Sequence, residues 1–195
     1  MIISRRDLLR LGLAGGASLV FPRIGRAQTG SPPSIPFSQP MPVPVPMSPV
    51  SADATTDYYE ITMRAAQKEI FPGLQTQVWG YNGSFPGPTI RARAGRNVVV
   101  KQTNNLQVEA TVHLHGGHVP ASSDGHPMDL IAPGTFKNYL YPNSQLPATL
   151  WYHDHTMDFT GRNVFMGLAG FYITTDEFED SLPLPAVCWR QEVKG

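Results

Sequence analysis

Six histidines are the residues of this 195-residue chain best suited to chemistry, and all six fall between positions 113 and 155. Four of them form two His-x-His pairs, His113 with His115 and His153 with His155. Random placement after residue 27 predicts only about 0.2 such pairs. Each pair sits in an apolar, strand-prone context: Thr111-Val112-His113-Leu114-His115 and Leu150-Trp151-Tyr152-His153-Asp154-His155. A strand sends alternate side chains to opposite faces, so both rings of a pair share one face. Two such strands lying side by side present four imidazoles to one volume, where neutral rings can converge on copper or zinc. The competing arrangement is two separate pairs on solvated strand faces. By the same period, Asp154 points away from its flanking histidines.

At this point the metal is open. A catalytic zinc site needs three protein ligands and an open position, which this chain could provide. Zinc hydrolases commonly add a close Asp-His to a His-x-His pair, whereas here His115 is followed by two glycines and His118. The single cysteine, Cys188, excludes an intrachain disulfide and a cysteine-rich zinc site.

The elements that must carry these rings read as strands. Tyr59, Ile61 and Met63 alternate with Glu60, Thr62 and Arg64, the pattern of a half-buried strand. A short strand at 77–81 is closed by Asn82-Gly83, and Pro86-Gly87-Pro88 reads as a rigid corner before a strand at 89–94. Val98-Val99-Val100 leads to Asn104-Asn105, and further strands are expected at 109–115, 136–141, 149–155 and 168–174. About eight short strands, Gly and Pro turns, and no long helical period predict an all-β chain, an antiparallel sandwich or Greek-key barrel.

The ends differ in composition. Ser4-Arg5-Arg6-Asp7-Leu8-Leu9, a weakly apolar run to Phe21 and Gly25-Arg26-Ala27 have the layout of a twin-arginine signal peptide over 1–27, which predicts export to the periplasm or beyond. That stretch is too short and too interrupted for a permanent membrane span. Eight prolines between 28 and 50 predict an extended linker or arm over 28–54. The ordered domain is expected over 55–178 and a truncated tail over 179–195, where Leu182-Pro183-Leu184-Pro185 stops regular structure. After residue 27, ten basic residues face fourteen acidic ones, a net of −4 that argues against nucleic acid as a partner.

Four segments, YNGSFPGPTIRARAGRNVVVKQTNNL (81–106), HLHGGHVPASSDGHP (113–127), LWYHDH (150–155) and GLAGFYITTD (167–176), resemble in order and spacing the amino-terminal domain of a multicopper oxidase. The branch is that of bilirubin oxidase, spore-coat laccase and phenoxazinone synthase, and the resemblance covers most of 57–178. It implies a cupredoxin-like Greek-key domain that provides half of a trinuclear copper cluster, at which O2 is reduced to water. By the family's motif His113 matches a ligand of the type 2 copper, and His115, His153 and His155 match ligands of the type 3 pair. Asp124 matches the acidic residue of this branch that relays protons to the cluster; its plain alternative is a turn residue in Ser123-Asp124-Gly125. His118 and His126 match no ligand position.

The chain also departs from the family's pattern. The His-Cys-His segment that holds the type 1 copper is absent, and Cys188 has no histidine within thirty residues. Four histidines match where the family's cluster takes eight. The resemblance therefore implies an oxidase domain, acting on phenolic or similar reducing substrates or metal ions together with O2, that is inactive alone and needs a complementary polypeptide. The alternatives are a non-enzymatic periplasmic copper-binding β-protein and a non-functional truncated remnant.

Overall fold

Tyr59, Ile61 and Met63 are each at most 3% exposed while Glu60 and Arg64 face solvent, so the alternation in the sequence becomes one side of a strand. The computed structural model describes residues 35–37 and 39–183. All its regular elements belong to one compact unit that begins at Pro40. The expected signal peptide and Cys188 lie outside the described residues.

Nine strands are formed among the described residues: β1 (Ser51–Ala52), β2 (Thr56–Phe71), β3 (Leu74–Tyr81), β4 (Gly87–Arg93), β5 (Asn97–Asn104), β6 (Val112–His115), β7 (Phe136–Tyr141), β8 (Thr149–Asp154) and β9 (Ala169–Thr175). Two short helices accompany them, α1 (Thr160–Met166) between β8 and β9 and α2 (Glu177–Ser181) after β9. The all-β expectation holds. One sheet has the order β1-β2-β5-β7, with β3 also on β2, and the other has the order β4-β9-β8-β6. An entirely antiparallel arrangement does not hold, because β2 with β5 and β4 with β9 pair in parallel. Each parallel partner is reached by a crossover, since β5 and β9 return to lie beside strands formed earlier in the chain.

Some expected boundaries shift for visible reasons. Gly87 and Pro88 belong to β4 rather than to a corner, and the β4–β9 register slips between Gly87 and Ile90, where Pro88 has no N–H to give the ladder. The strand expected at 109–115 begins only at Val112, because the Thr111 N–H is given to the Asp154 carboxylate at 3.1 Å. Helix α1 was not expected: it is seven residues long, contains Gly161 and buries only Asn163, so it has no apolar period to read. Residues 45–47 of the proline-rich segment run along β4, with the Thr89 N–H donating to Val45 O at 3.0 Å and the Met47 N–H donating to Thr89 O at 2.8 Å.

The core lies between the two sheets, with Ile61, Met63, Val98, Val100 and Tyr139 facing Ile90, Val112, Leu114, Tyr152 and Tyr172. Removing each such side chain from water stabilises the fold by about 1.5–3 kcal/mol. Tyrosine hydroxyls tie the layers together: Tyr59 donates to Arg91 O at 3.3 Å, and the Val112 N–H donates to the Tyr139 oxygen at 3.2 Å. Between β6 and β7 a single 3-10 turn at Ala121–Ser123 is pinned to β7 by the Leu140 N–H, which donates to Ser123 Oγ at 2.9 Å. The next bend brings Gly125 onto the Val112–His113 peptide, where an added Cβ would collide with the Val112 carbonyl.

Gly125 and Gly134 both have positive φ, 72° and 77°, but an added Cβ at Gly134 meets nothing within 4 Å. Gly134→Ala is expected to cost about 1 kcal/mol from backbone conformation alone. Gly125→Ala is expected to cost at least about 1 kcal/mol more because of the collision. Urea unfolding of the two variants measures the difference, and equal costs would show that the loop moves freely away from β6.

Candidate metal centre

The register of β6 against β8 sets the site. His113 lies opposite His153, His115 opposite Trp151, Val112 opposite Asp154 and Leu114 opposite Tyr152. Directly paired residues share a face, so Val112, Leu114 and Tyr152 enter the core while His113, His115, Trp151 and His153 line the outer face. His155, two residues beyond His153, joins them. Ring centroids are 5.6 Å apart for His113 and His115, 5.5 Å for His113 and His153, and 5.0 Å for His113 and His155. One ring nitrogen from each of His113, His115 and His153 lies within 4.8 Å of the others. The solvated, separated arrangement of the two pairs is therefore not the one found.

Backbone carbonyls fix the rings. His113 Nδ1 is 2.6 Å from Asp124 O, and His153 Nδ1 is 2.7 Å from Asp154 O. A carbonyl only accepts, so each Nδ1 carries the hydrogen and each neutral ring keeps a bare lone pair on Nε2. His153 Nε2 faces His115 Nδ1 at 3.3 Å. His155 Nδ1 is buried without a hydrogen-bond partner. Burial lowers the pKa of His153, with the three neighbouring rings adding to the effect, and lowers that of His155, with His113 adding most. Both rings thus stay neutral, the form in which imidazole donates to a metal.

The remaining sequence candidates separate clearly. Asp124 is at the cluster, but its carbonyl makes the short bond to His113, while its half-exposed carboxylate stands 3.4 Å from the same nitrogen. His118 is fixed elsewhere through its backbone N–H, which donates to Gln145 Oε1, and the exposed His126 accepts from the Met128 N–H at 3.2 Å. Tyr152 is core, with its hydroxyl donating to Pro88 O at 2.6 Å. Trp151 is not core: it lies on the histidine face, stacked 4.0 Å from His153 and 5.3 Å from His115. Asp154 is fully buried on the other side, as the strand period predicts, and its carboxylate accepts four hydrogen bonds. Its partner Asn163 lies on α1, which no sequence period signalled.

The donor set suits a soft-to-borderline cation. It is wholly imidazole, the lone pair of His153 Nε2 faces a second ring at 3.3 Å, and a buried ring nitrogen on His155 lacks any partner. These features fit copper or zinc better than magnesium or calcium, which take oxygen ligands. His115 is exposed, and Phe171, paired with Trp151 on β9, is 43% exposed, so the outer face is open around the rings.

Comparison with known proteins agrees with this chemistry. A family model described as multicopper oxidase matches residues 62–178. A laccase of Bacillus stratosphericus is 42% identical over 178 residues, covering 76% of this chain and 35% of its own length. A bilirubin oxidase of Albifimbria verrucaria is 40% identical over 155 residues, covering 74% of this chain and 27% of its own. The crystal structure of a laccase from Pediococcus acidilactici superposes with a TM-score of 0.72 at 36% identity, over 75% of this chain and 32% of the other. The chain thus spans about a third of the length of the curated relatives it matches. A cupredoxin-like sandwich with this match over more than half of its chain belongs to the multicopper oxidase family.

Proposed function

We propose that this chain is the copper-binding amino-terminal part of an exported, laccase-like multicopper oxidase. His113 would hold the type 2 copper of a trinuclear centre, and His115, His153 and His155 would hold the type 3 pair. The observation that carries this reading is the approach of ring nitrogens from His113, His115 and His153 to within 4.8 Å, on two strands paired in register. Copper held there would supply the redox chemistry for oxidising a phenolic or similar substrate, or a metal ion, with O2. The protein's own part is to hold the imidazole donors rigidly, through the carbonyls of Asp124 and Asp154.

Four imidazoles are half the ligands such a centre takes, so turnover would need the remaining histidines and the type 1 copper from a complementary polypeptide or further segment. The open face around Trp151 and Phe171 is where that chain would close the site. The Arg5-Arg6 leader supports export by the twin-arginine route, which carries folded proteins. Asp124 would pass protons between solvent and the centre, a role supported by its half-exposed carboxylate 3.4 Å from His113. A second reading, copper binding without turnover, is favoured by the mutual approach of ring nitrogens from His113, His115 and His153 to within 4.8 Å, since three imidazoles can hold a single copper ion.

Because Trp151 stacks at 4.0 Å on His153, copper(II) at the centre should quench its fluorescence. Titration of the exported protein is expected to show saturable quenching that disappears in Trp151→Phe, and a reduced copper stoichiometry in His113→Ala and His153→Ala. Unchanged stoichiometry in both histidine variants would remove the proposed site. For Asp124→Asn the carbonyl that orients His113 persists, so copper binding should be retained. Oxygen reduction by the complete enzyme should instead fall about 10²-fold. Loss of copper binding in this variant would make the carboxylate a holder of the ring and not a proton carrier.

A further inference from the structure

Asp154 sits between two of the histidines and points away from both, yet it is 0% exposed and charged by type. An isolated carboxylate in such a place is strongly unfavourable unless every lone pair finds a donor. Here each oxygen has two. Oδ1 accepts from the Thr111 N–H at 3.1 Å and the Thr156 hydroxyl at 2.8 Å, and Oδ2 accepts from the Thr156 N–H at 3.1 Å and Asn163 Nδ2 at 2.9 Å. The Asn163 amide is itself oriented by Arg162 Nε, which donates to its oxygen at 3.0 Å, so a positive charge stands one residue removed from the carboxylate.

The four donors come from three segments of chain. Thr111 lies two residues before His113, Thr156 follows His155, and Asn163 is on α1. The β6–β8 ladder ends at the pair of Val112 with Asp154. Beyond that pair, the carboxylate replaces the ladder as the link between the two histidine segments. The backbone of the same residue adds a third restraint, since Asp154 O accepts from His153 Nδ1 at 2.7 Å and selects the tautomer with a bare Nε2.

We infer that Asp154 is the positioning residue of the metal centre, with its buried carboxylate stapling the His113 and His155 segments so that their rings keep one common focus. An amide at this position could accept on one atom only, and its NH2 would confront donors. The inference rests on the copper-binding reading above, and the test separates the two. Copper affinity of the exported chain, measured by competition with a chelator, is expected to fall about 10–100-fold in Asp154→Asn. The electron paramagnetic resonance spectrum of bound copper(II) should shift, and in the metal-free protein the ring nitrogen NMR signals of His153 and His155 should move from their wild-type positions. Asn163→Ala, which removes one donor far from the ligands in sequence, should act in the same direction but less. It decides the matter if Asp154→Asn fails to fold. A wild-type chain that binds no copper would overturn the functional reading. A wild-type chain that binds copper, with either folded variant binding equally well and giving unchanged spectra, would overturn the role of Asp154 alone.

Discussion

The pairing of His113 with His153 across β6 and β8 is the constraint on which the rest of the molecule depends. A strand's side-chain period is two, so a slip of one residue would turn one histidine pair into the core and bring Tyr152 or Leu114 out. Burial forbids that slip. Leu114 and Tyr152 are each 1% exposed, Tyr152 is anchored to Pro88, and the Tyr139 hydroxyl reaches across the sandwich to the Val112 N–H at the start of β6. The apolar core therefore determines where the polar rings are found.

Main chain and side chains divide the work of holding those rings. Carbonyl oxygens of two aspartates, Asp124 and Asp154, take the Nδ1 hydrogens, while the Asp124 carboxylate stays half-exposed 3.4 Å from His113 and the Asp154 carboxylate turns into the interior. Orientation of His113 then depends on how closely the turn after Ser123 approaches β6, and Gly125 provides that approach because it lacks a Cβ. An imidazole held by a backbone carbonyl keeps its tautomer whatever the state of nearby acids, which suits a donor that must remain neutral.

Much of this arrangement is legible in the sequence because it rests on local periods. The alternation of Tyr59, Ile61 and Met63 marks β2, and His-x-His in an apolar run marks two strands with their rings on one side. What the sequence leaves open is long-range. The parallel pairings of β2 with β5 and β4 with β9 depend on crossovers that no local pattern encodes. Helix α1 has no amphipathic period, and its purpose emerges only when Asn163 meets Asp154, nine residues earlier. Trp151 reads as packing by its neighbours in the sequence, yet pairing with His115 puts it on the outer face as the plate against which two rings stack.

The segment at 45–47 bears on how another protein could join this one. Thr89 gives both its backbone groups to that segment, so β4 offers no free hydrogen-bonding rim there, and the opposite border of the sheet, β6, has Gly125 lying against the Val112–His113 peptide. Extending this sheet by adding a foreign strand is thus obstructed at Thr89 on one margin and at the Val112–His113 peptide on the other. On the function proposed above, a chain that completes the centre would arrive broadside, onto the surface that carries the imidazoles, so that joining the two proteins and enclosing the metal would be one event.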